Sequence, residues 1–266
     1  MSEAPHGPQA IRASANPLLV KLRRLSQDGS AYRKFGQVWL EGEHLCGAWV
    51  TRGGRAAIAV TSEAAWVNPA IRHLAGTAAR TVTVSPELFA GFSALESPAA
   101  IGFVVDLPAA PALDPVAHTV VLDRVQDAGN VGSILRSAAA FGVTQVIALK
   151  GTAALWSPKV LRAGMGAHFG LRLIDAAEPS WLDALTVPLV ATSPHDGVLI
   201  HAAALQSRCA WIFSHEGQGV HDELRARCAV AVRIPQPGGE ESLNVAAAAA
   251  VCLYESARQR GAPKPQ

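Results

Sequence analysis

The sequence has few of the features that usually decide a protein's class. Of 266 residues only four are cysteine (Cys46, Cys209, Cys228 and Cys252), and no two are spaced as CxxC. That argues against a disulfide framework and a paired-cysteine zinc site, and reads as reduced, mostly buried thiols of a cytoplasmic protein. The nine histidines form no ligand pattern. His215-Glu216 with His221 is H-E-x4-H, not the helical H-E-x-x-H that puts two imidazoles on one face, so no metal is expected. No stretch approaches the roughly 18 apolar residues of a membrane span, and the alanine-rich run near residue 250 is interrupted too early. The opening MSEAPHGPQA has no basic region followed by an apolar core. It is therefore expected to be a disordered leader (1–10) and not a secretory signal, with a similar tail over 261–266. No internal repeat is evident.

What is present is a large apolar fraction, 50% of the residues, enough for a substantial core in one large domain or two ordinary ones. DLPAAPALDP (106–115), with three prolines, reads as a linker. The expected organisation is an N-terminal module over 11–106, a linker over 107–117 and a C-terminal module over 118–260. Net charge is only +2, but residues 12–55 carry eight Lys/Arg against three acids. That local excess is a candidate nucleic-acid footprint or a solvated helix face.

In the first module Leu18, Leu19, Leu22 and Leu25 fall at helical spacing behind the start signal Asn16-Pro17. QVWLEG, AAIAVT, RTVTVS and AIGFVVD read as strands with helices between them, an α/β arrangement. In the second module HTVVLD, a helix bearing Val131, Ile134, Leu135, Ala138 and Phe141, a Gly142 stop and TQVIALK make a βαβ unit with a parallel sheet. VPLVATS, CAWIFS and CAVAVRI add strands, and a helix is expected from about Ser242 to Arg258 with Ser242 as its cap.

Ligands of open α/β sheets bind beyond the carboxyl ends of strands, and three such ends carry unusual loops. The first is DAGNVG (127–132), running into a helix with Arg136. Asn130 can cap that helix or donate to a ligand. Gly132 and Arg136 are i, i+4, so the glycine leaves the guanidinium room beside a phosphate or ribose. The plain alternative is a capped helix with a surface arginine. The second is SHEGQGV (214–220), whose two glycines permit a tight turn with open backbone amides. Glu216 there calls for a partner such as Arg136 or Asn130, unless it is a solvated turn residue. The third is IPQPGGEESLNV (234–245), in which Ser242 and Asn244 open an otherwise apolar helix, where either can cap it and still face a ligand.

These loops carry N-x-G-x-x-x-R, EGxG and IP-x-x-G-x-x-x-SLNV, in that order and each after a strand. Together they resemble the three signature motifs of the SpoU/TrmH class of SPOUT RNA ribose methyltransferases. SPKVLRAGMGAHFGLRL is similar to that family's stretch between motifs one and two. The Asn-Pro helix start with VWLEGEHL is similar to its ribosomal-protein-like RNA-binding domain. The chain departs from the pattern at Gln236, where the family usually has Met, at Ser214, commonly Gly, and at Gly164, usually Ser.

The resemblance implies a C-terminal parallel-sheet SPOUT domain with a deep trefoil knot, a smaller N-terminal α/β RNA-binding domain, and a homodimer. S-adenosylmethionine would be held by Gly217, Ile234, Leu243 and Ser214. Asn130, Arg136, Glu216, Ser242 and Asn244 would form the catalytic group, and Lys21, Arg23, Arg24 and Arg33 would contact RNA. Methyl transfer to a ribose 2′-hydroxyl needs in-line alignment and removal of a proton from a weak acid. Arginine is effectively always protonated, so Arg136 is read as a phosphate clamp and alkoxide stabiliser. Ribosomal RNA is the favoured substrate by family analogy. A tRNA methyltransferase, and a non-catalytic RNA-binding protein on the same fold, stay open. A Rossmann-type dinucleotide enzyme is disfavoured, because G-x-G-x-x-G is absent and Lys150-Gly151 stands where an acidic residue would follow the second strand.

Overall fold

A short strand begins inside the stretch expected to be a disordered leader. In the computed structural model, which describes residues 7–193, 196–215, 217, 219–238 and 242–261, β1 (Gln9–Ile11) pairs in parallel with β4 (Thr81–Val84). Among the described residues of this stretch, 9–11 join the sheet, and Ile11 is buried. Burying that one apolar side chain on a sheet edge is enough to order a stretch whose composition reads as loop.

The chain divides into two units. The first comprises residues 1–109 together with 156–162. Its five-stranded sheet runs β1-β4-β3-β5-β2, with β2 (Gln37–Glu41), β3 (Ile58–Ser62) and β5 (Ile101–Asp106). Its helices include α1 (Pro17–Gln27), α2 (Ala31–Phe35), α3 (Glu43–Thr51), α4 (Pro69–Ala75) and α5 (Pro86–Ala90). The expected start signal operates: Asn16 caps α1 by accepting from the Leu18 amide at 2.9 Å, with Pro17 as first residue. Trp39 packs on Phe89 and Phe92, and its indole lies over Gly102. A Cβ at Gly102 would come within 2.2 Å of that ring, so only glycine fits there.

The second unit comprises residues 110–155 and 163–266. Its seven strands are all parallel, in the order β10-β12-β9-β11-β6-β7-β8. They are β6 (Thr119–Asp123), β7 (Gln145–Leu149), β8 (Arg172–Ala177), β9 (Leu189–Thr192), β10 (Val198–Leu199), β11 (Ala210–Ser214) and β12 (Val230–Arg233). A parallel sheet is covered on both faces, so its strands are near-continuous apolar runs; every residue of β6, β7 and β11 is buried. The core includes Val121, Ile147, Ile174 and Ile212. The helices are α6 (Ala128–Ala140), α7 (Pro158–Gly164), most of which belongs to the first unit, α8 (Asp222–Ala226) and α9 (Val245–Gln259). α9 packs against α6 and β11.

The chain order reverses at β6. From it β7 and β8 extend the sheet one way, and β11, β9, β12 and β10 the other. The gap between β6 and β11 is thus a topological switch point, where open α/β sheets place their ligands. No described helix is long and apolar enough to cross a membrane.

Candidate active site

The loop after β6 and the loop before α9 meet. Asn244 caps α9, its Oδ1 accepting from the amides of Ala246 (3.0 Å) and Ala247 (3.3 Å). Its Nδ2 donates to Asn130 Oδ1 at 3.0 Å, across 114 residues of sequence. Two of the expected catalytic residues are therefore in direct contact. One helix cap differs from expectation, and at the other the structure selects between the two residues offered. Asp127, not Asn130, caps α6, its carboxylate accepting from the Asn130 amide at 2.7 Å. At α9 the cap is Asn244, not Ser242, and the helix begins at Val245. Ser242 is exposed and precedes the true cap by two residues, too early for its hydroxyl to serve the first turn.

The second loop leaves β11 beside the end of β6, with Ser214 in register with Asp123. Ser214 is buried. Among the described residues of this loop the two glycine amides are not open. Gly217 N donates to His215 Nδ1 at 3.0 Å, and Gly219 N to His215 O at 3.0 Å, so His215 uses both glycine amides. What Gly217 offers a ligand is its carbonyl and bare Cα. Glu216 lies outside the described residues. Asp123 and Arg124, which carry no motif signal, fasten this loop. The Asp123 carboxylate takes Arg124 Nε at 2.9 Å and Nη2 at 3.1 Å, and accepts from the His221 amide at 3.2 Å. Arg124 Nη2 also reaches Gly219 O at 3.3 Å. The carboxylate hydrogen-bonded to it raises the Arg124 pKa further above its ordinary value.

The third loop follows β12. Ile234 is half-buried, and Leu243 is exposed. Residues 239–241 lie outside the described residues. The side-chain oxygen of Gln236 is buried without a hydrogen-bond partner among the described residues. β9 lies between β11 and β12, so its end at Thr192 and Ser193 stands between the second and third loops. Gly197, just before β10, has φ +110°, and a Cβ there would come within 2.4 Å of Ala231 O.

Arg136 is exposed on α6 and has no hydrogen bond or ion pair among the described residues. Gly132 is buried, and its carbonyl is 3.6 Å from where a Cβ on Gly164 would stand. The departure at Gly164 has a local reason. A Cβ there would come within 2.6 Å of the His168 ring, which is buried and bonded to Leu155 O at 2.8 Å. Burial pushes the His168 pKa down to about 4.

Residues 117–254 match the model of the SpoU rRNA Methylase family. The chain belongs to the SpoU rRNA methylase family. It is 39% identical over 150 residues to the 23S rRNA (guanosine-2'-O-)-methyltransferase RlmB of Coxiella burnetii, covering 55% of this chain and 60% of that protein. The chain thus spans about three fifths of the length of that relative in the match. A Synechocystis protein named as an uncharacterized tRNA/rRNA methyltransferase is 33% identical over 95% of both chains. Among solved structures, an RNA 2'-O ribose methyltransferase superposes with TM-score 0.80 at 30% identity, covering 95% of this chain and 99% of that one. The SpoU methyltransferase AviRb of Streptomyces viridochromogenes, in complex with AdoMet, superposes with TM-score 0.80 at 25% identity, over 92% and 99%. The parallel-sheet α/β fold is that of the SpoU methylases.

In the first unit the basic candidates divide in two. Arg24 and Arg33 are exposed, and Arg33 lies over the Tyr32 ring. Lys21 and Arg23 are half-buried and held within the unit: Lys21 donates to Gln37 and lies over the Phe35 ring, and Arg23 donates to Ser14 O at 3.0 Å. The described residues contain no group of three or more His, Cys, Asp or Glu able to hold a metal ion. Cys46, Cys209 and Cys252 are buried, and burial pushes the Cys209 thiol up to about 11 and that of Cys252 to about 12.

Proposed function

We propose that this protein transfers a methyl group from S-adenosylmethionine to a ribose 2′-hydroxyl of RNA, with structured ribosomal RNA as substrate. The observation that carries the reading is the Asn244–Asn130 bond, which joins the first and third motifs at the switch point beside Arg136's helix. The residues suit the cofactor: the buried oxygen of Gln236, unpartnered among the described residues, calls for an N–H donor such as an adenine amino group. Gly217, Ile234, Leu243 and Ser214 would hold the rest, largely through backbone and apolar contact. The cofactor supplies an electrophilic methyl group on a sulfonium.

Arg136 holds the phosphate next to the target ribose and stabilises the developing alkoxide. Its exposure, with no partner among the described residues, supports that role. Asn130 and Asn244 orient one another, and Ser242 and Glu216 complete the catalytic group. The bond from Asn244 to Asn130 Oδ1 fixes which end of the Asn130 amide faces the third loop. Positioning then supplies much of the rate. The proton passes to RNA phosphate or water.

The first unit is the RNA-binding module, and Arg24 and Arg33 make its phosphate contacts. The second unit is knotted, as its resemblance to the SpoU/TrmH class implies. The protein works as a homodimer through α9, where Ala247, Val251 and Tyr254 form an exposed apolar stripe. Mapping 2′-O-methyl positions in total RNA with and without the gene tests the reading. Loss of a ribosomal site is expected; loss of a tRNA site would move the substrate, and no loss at all would sink the proposal. Calorimetry should show binding of S-adenosylmethionine and none of NAD.

A further inference from the structure

We propose that Asp123 and Arg124 are positioning residues that hold His215, Gly219 and His221, and with them Gly217, in the placement that accepts the methyl donor; this rests on the methyltransferase reading above. Asp123 is 3% exposed at the end of β6, where a carboxylate is costly unless its oxygens are used. Both are used, by Arg124 and by the His221 amide, and its backbone carbonyl takes the His215 amide at 3.2 Å. Asp123 therefore grips both ends of the loop that carries Gly217.

Arg124 closes the loop from the other side through Gly219 O. It does so from a left-handed backbone, φ 58°, which non-glycine residues rarely adopt and keep only where surroundings over-determine it. The surroundings here are close. A Cβ on Gly151 would come within 3.2 Å of Arg124 Cγ, so glycine at 151 leaves room for the arginine stem. Thr152 Oγ1 donates to Leu122 O at 2.9 Å, fixing the strand end that presents the pair. The ion-paired residues at the end of β6 are thus tied to the loop after β11 by three hydrogen bonds, to His215, Gly219 and His221.

The test uses the full chain with Asp123→Asn, Arg124→Gln and the double variant. Three measurements are made: hydrogen exchange over 215–221, the calorimetric Kd for S-adenosylmethionine, and KM against kcat for methyl transfer. Losing charge-assisted bonds predicts loop exchange faster by about tenfold and Kd higher by about tenfold in Asp123→Asn. KM for the cofactor should rise while kcat at saturation holds, and β6 and β7 amides should stay protected. Arg124→Gln should act in the same direction, and the double variant should be no worse than Asp123→Asn alone. Unchanged Kd in both single variants would overturn the proposal. If Asp123→Asn does not fold, the partly exposed Arg124→Gln carries the same decision. If the wild type binds no S-adenosylmethionine, the methyltransferase reading fails instead, and the exchange result alone decides whether the pair fastens the loop.

Discussion

Replacing Asn244 separates two jobs that one side chain performs. Its oxygen caps α9, and its amide nitrogen holds Asn130. Asn244→Ala removes both. Loss of a cap costs about 1 kcal/mol, and loss of an exposed side-chain hydrogen bond about 0.5–1 kcal/mol more. Together that is roughly 1.5–2 kcal/mol, or a fall of about 3–8 °C in Tm for a unit of this size. Asn244→Asp keeps an oxygen acceptor and places a negative charge at a helix N-terminus, which contributes about 0.3–1 kcal/mol. Its melting temperature should therefore match the wild type or exceed it. Yet it has no N–H to give Asn130, whose amide must turn over to find a donor–acceptor match. Methyl transfer should fall in both variants, although only Asn244→Ala is less stable. Thermal melts of the second unit followed by near-ultraviolet circular dichroism, with single-turnover methyl transfer, check this. If Asn244→Asp melts as low as Asn244→Ala, the capping account is wrong; if it transfers methyl at the wild-type rate, the Asn130 contact has no catalytic consequence.

Arg136→Ala should leave S-adenosylmethionine binding nearly intact and lower methyl transfer by several orders of magnitude, with Arg136→Lys recovering little between pH 7 and 10; a lysine variant reaching the wild-type rate at high pH would defeat the clamp role. Exchanging Arg24 and Arg33 for Glu should weaken RNA binding and flatten its salt dependence without changing cofactor affinity, as filter binding at several salt concentrations would show. Burial holds His118 and His168 neutral, each with its pKa pushed down to about 4. The unfolded chain binds those protons first, so their stabilising contribution is present above about pH 6.5 and is lost as pH falls towards 4. Urea midpoints should drop across that window, and replacing His168 by Gln should flatten the slope.

Much of this architecture is legible in the sequence, for a physical reason. β6, β7 and β11 are buried on both faces, so their apolar runs are unbroken and need no periodicity to be seen. β1 and β10 are too short to carry a pattern, and each exists only through its neighbour. β8 is disguised by Arg172, Asp175 and a positive φ at Ala176 where its pairing with β7 shifts register. The two helix caps are ambiguous in sequence for a common reason. Asp127 and Asn130, like Ser242 and Asn244, are all good cap residues, and only backbone geometry selects among them. The Asp123–Arg124 pair is hidden because adjacent opposite charges at a strand end look solvated. Its meaning lies in the register of Asp123 with Ser214, which no local pattern reveals.

The strand order has a consequence for synthesis. His118 and Cys209, hydrogen-bonded to one another just ahead of β6 and β11, are 91 residues apart in sequence. At about 5–20 residues per second, the ribosome needs roughly 5–18 s to deliver the second after the first. Once β7 has emerged β6 can pair with it, but its other edge must wait. An apolar central strand with one bare edge is a template for any nascent chain nearby. The protein's period of greatest vulnerability therefore falls midway through its translation, when a chaperone covering that edge would do most to raise its yield.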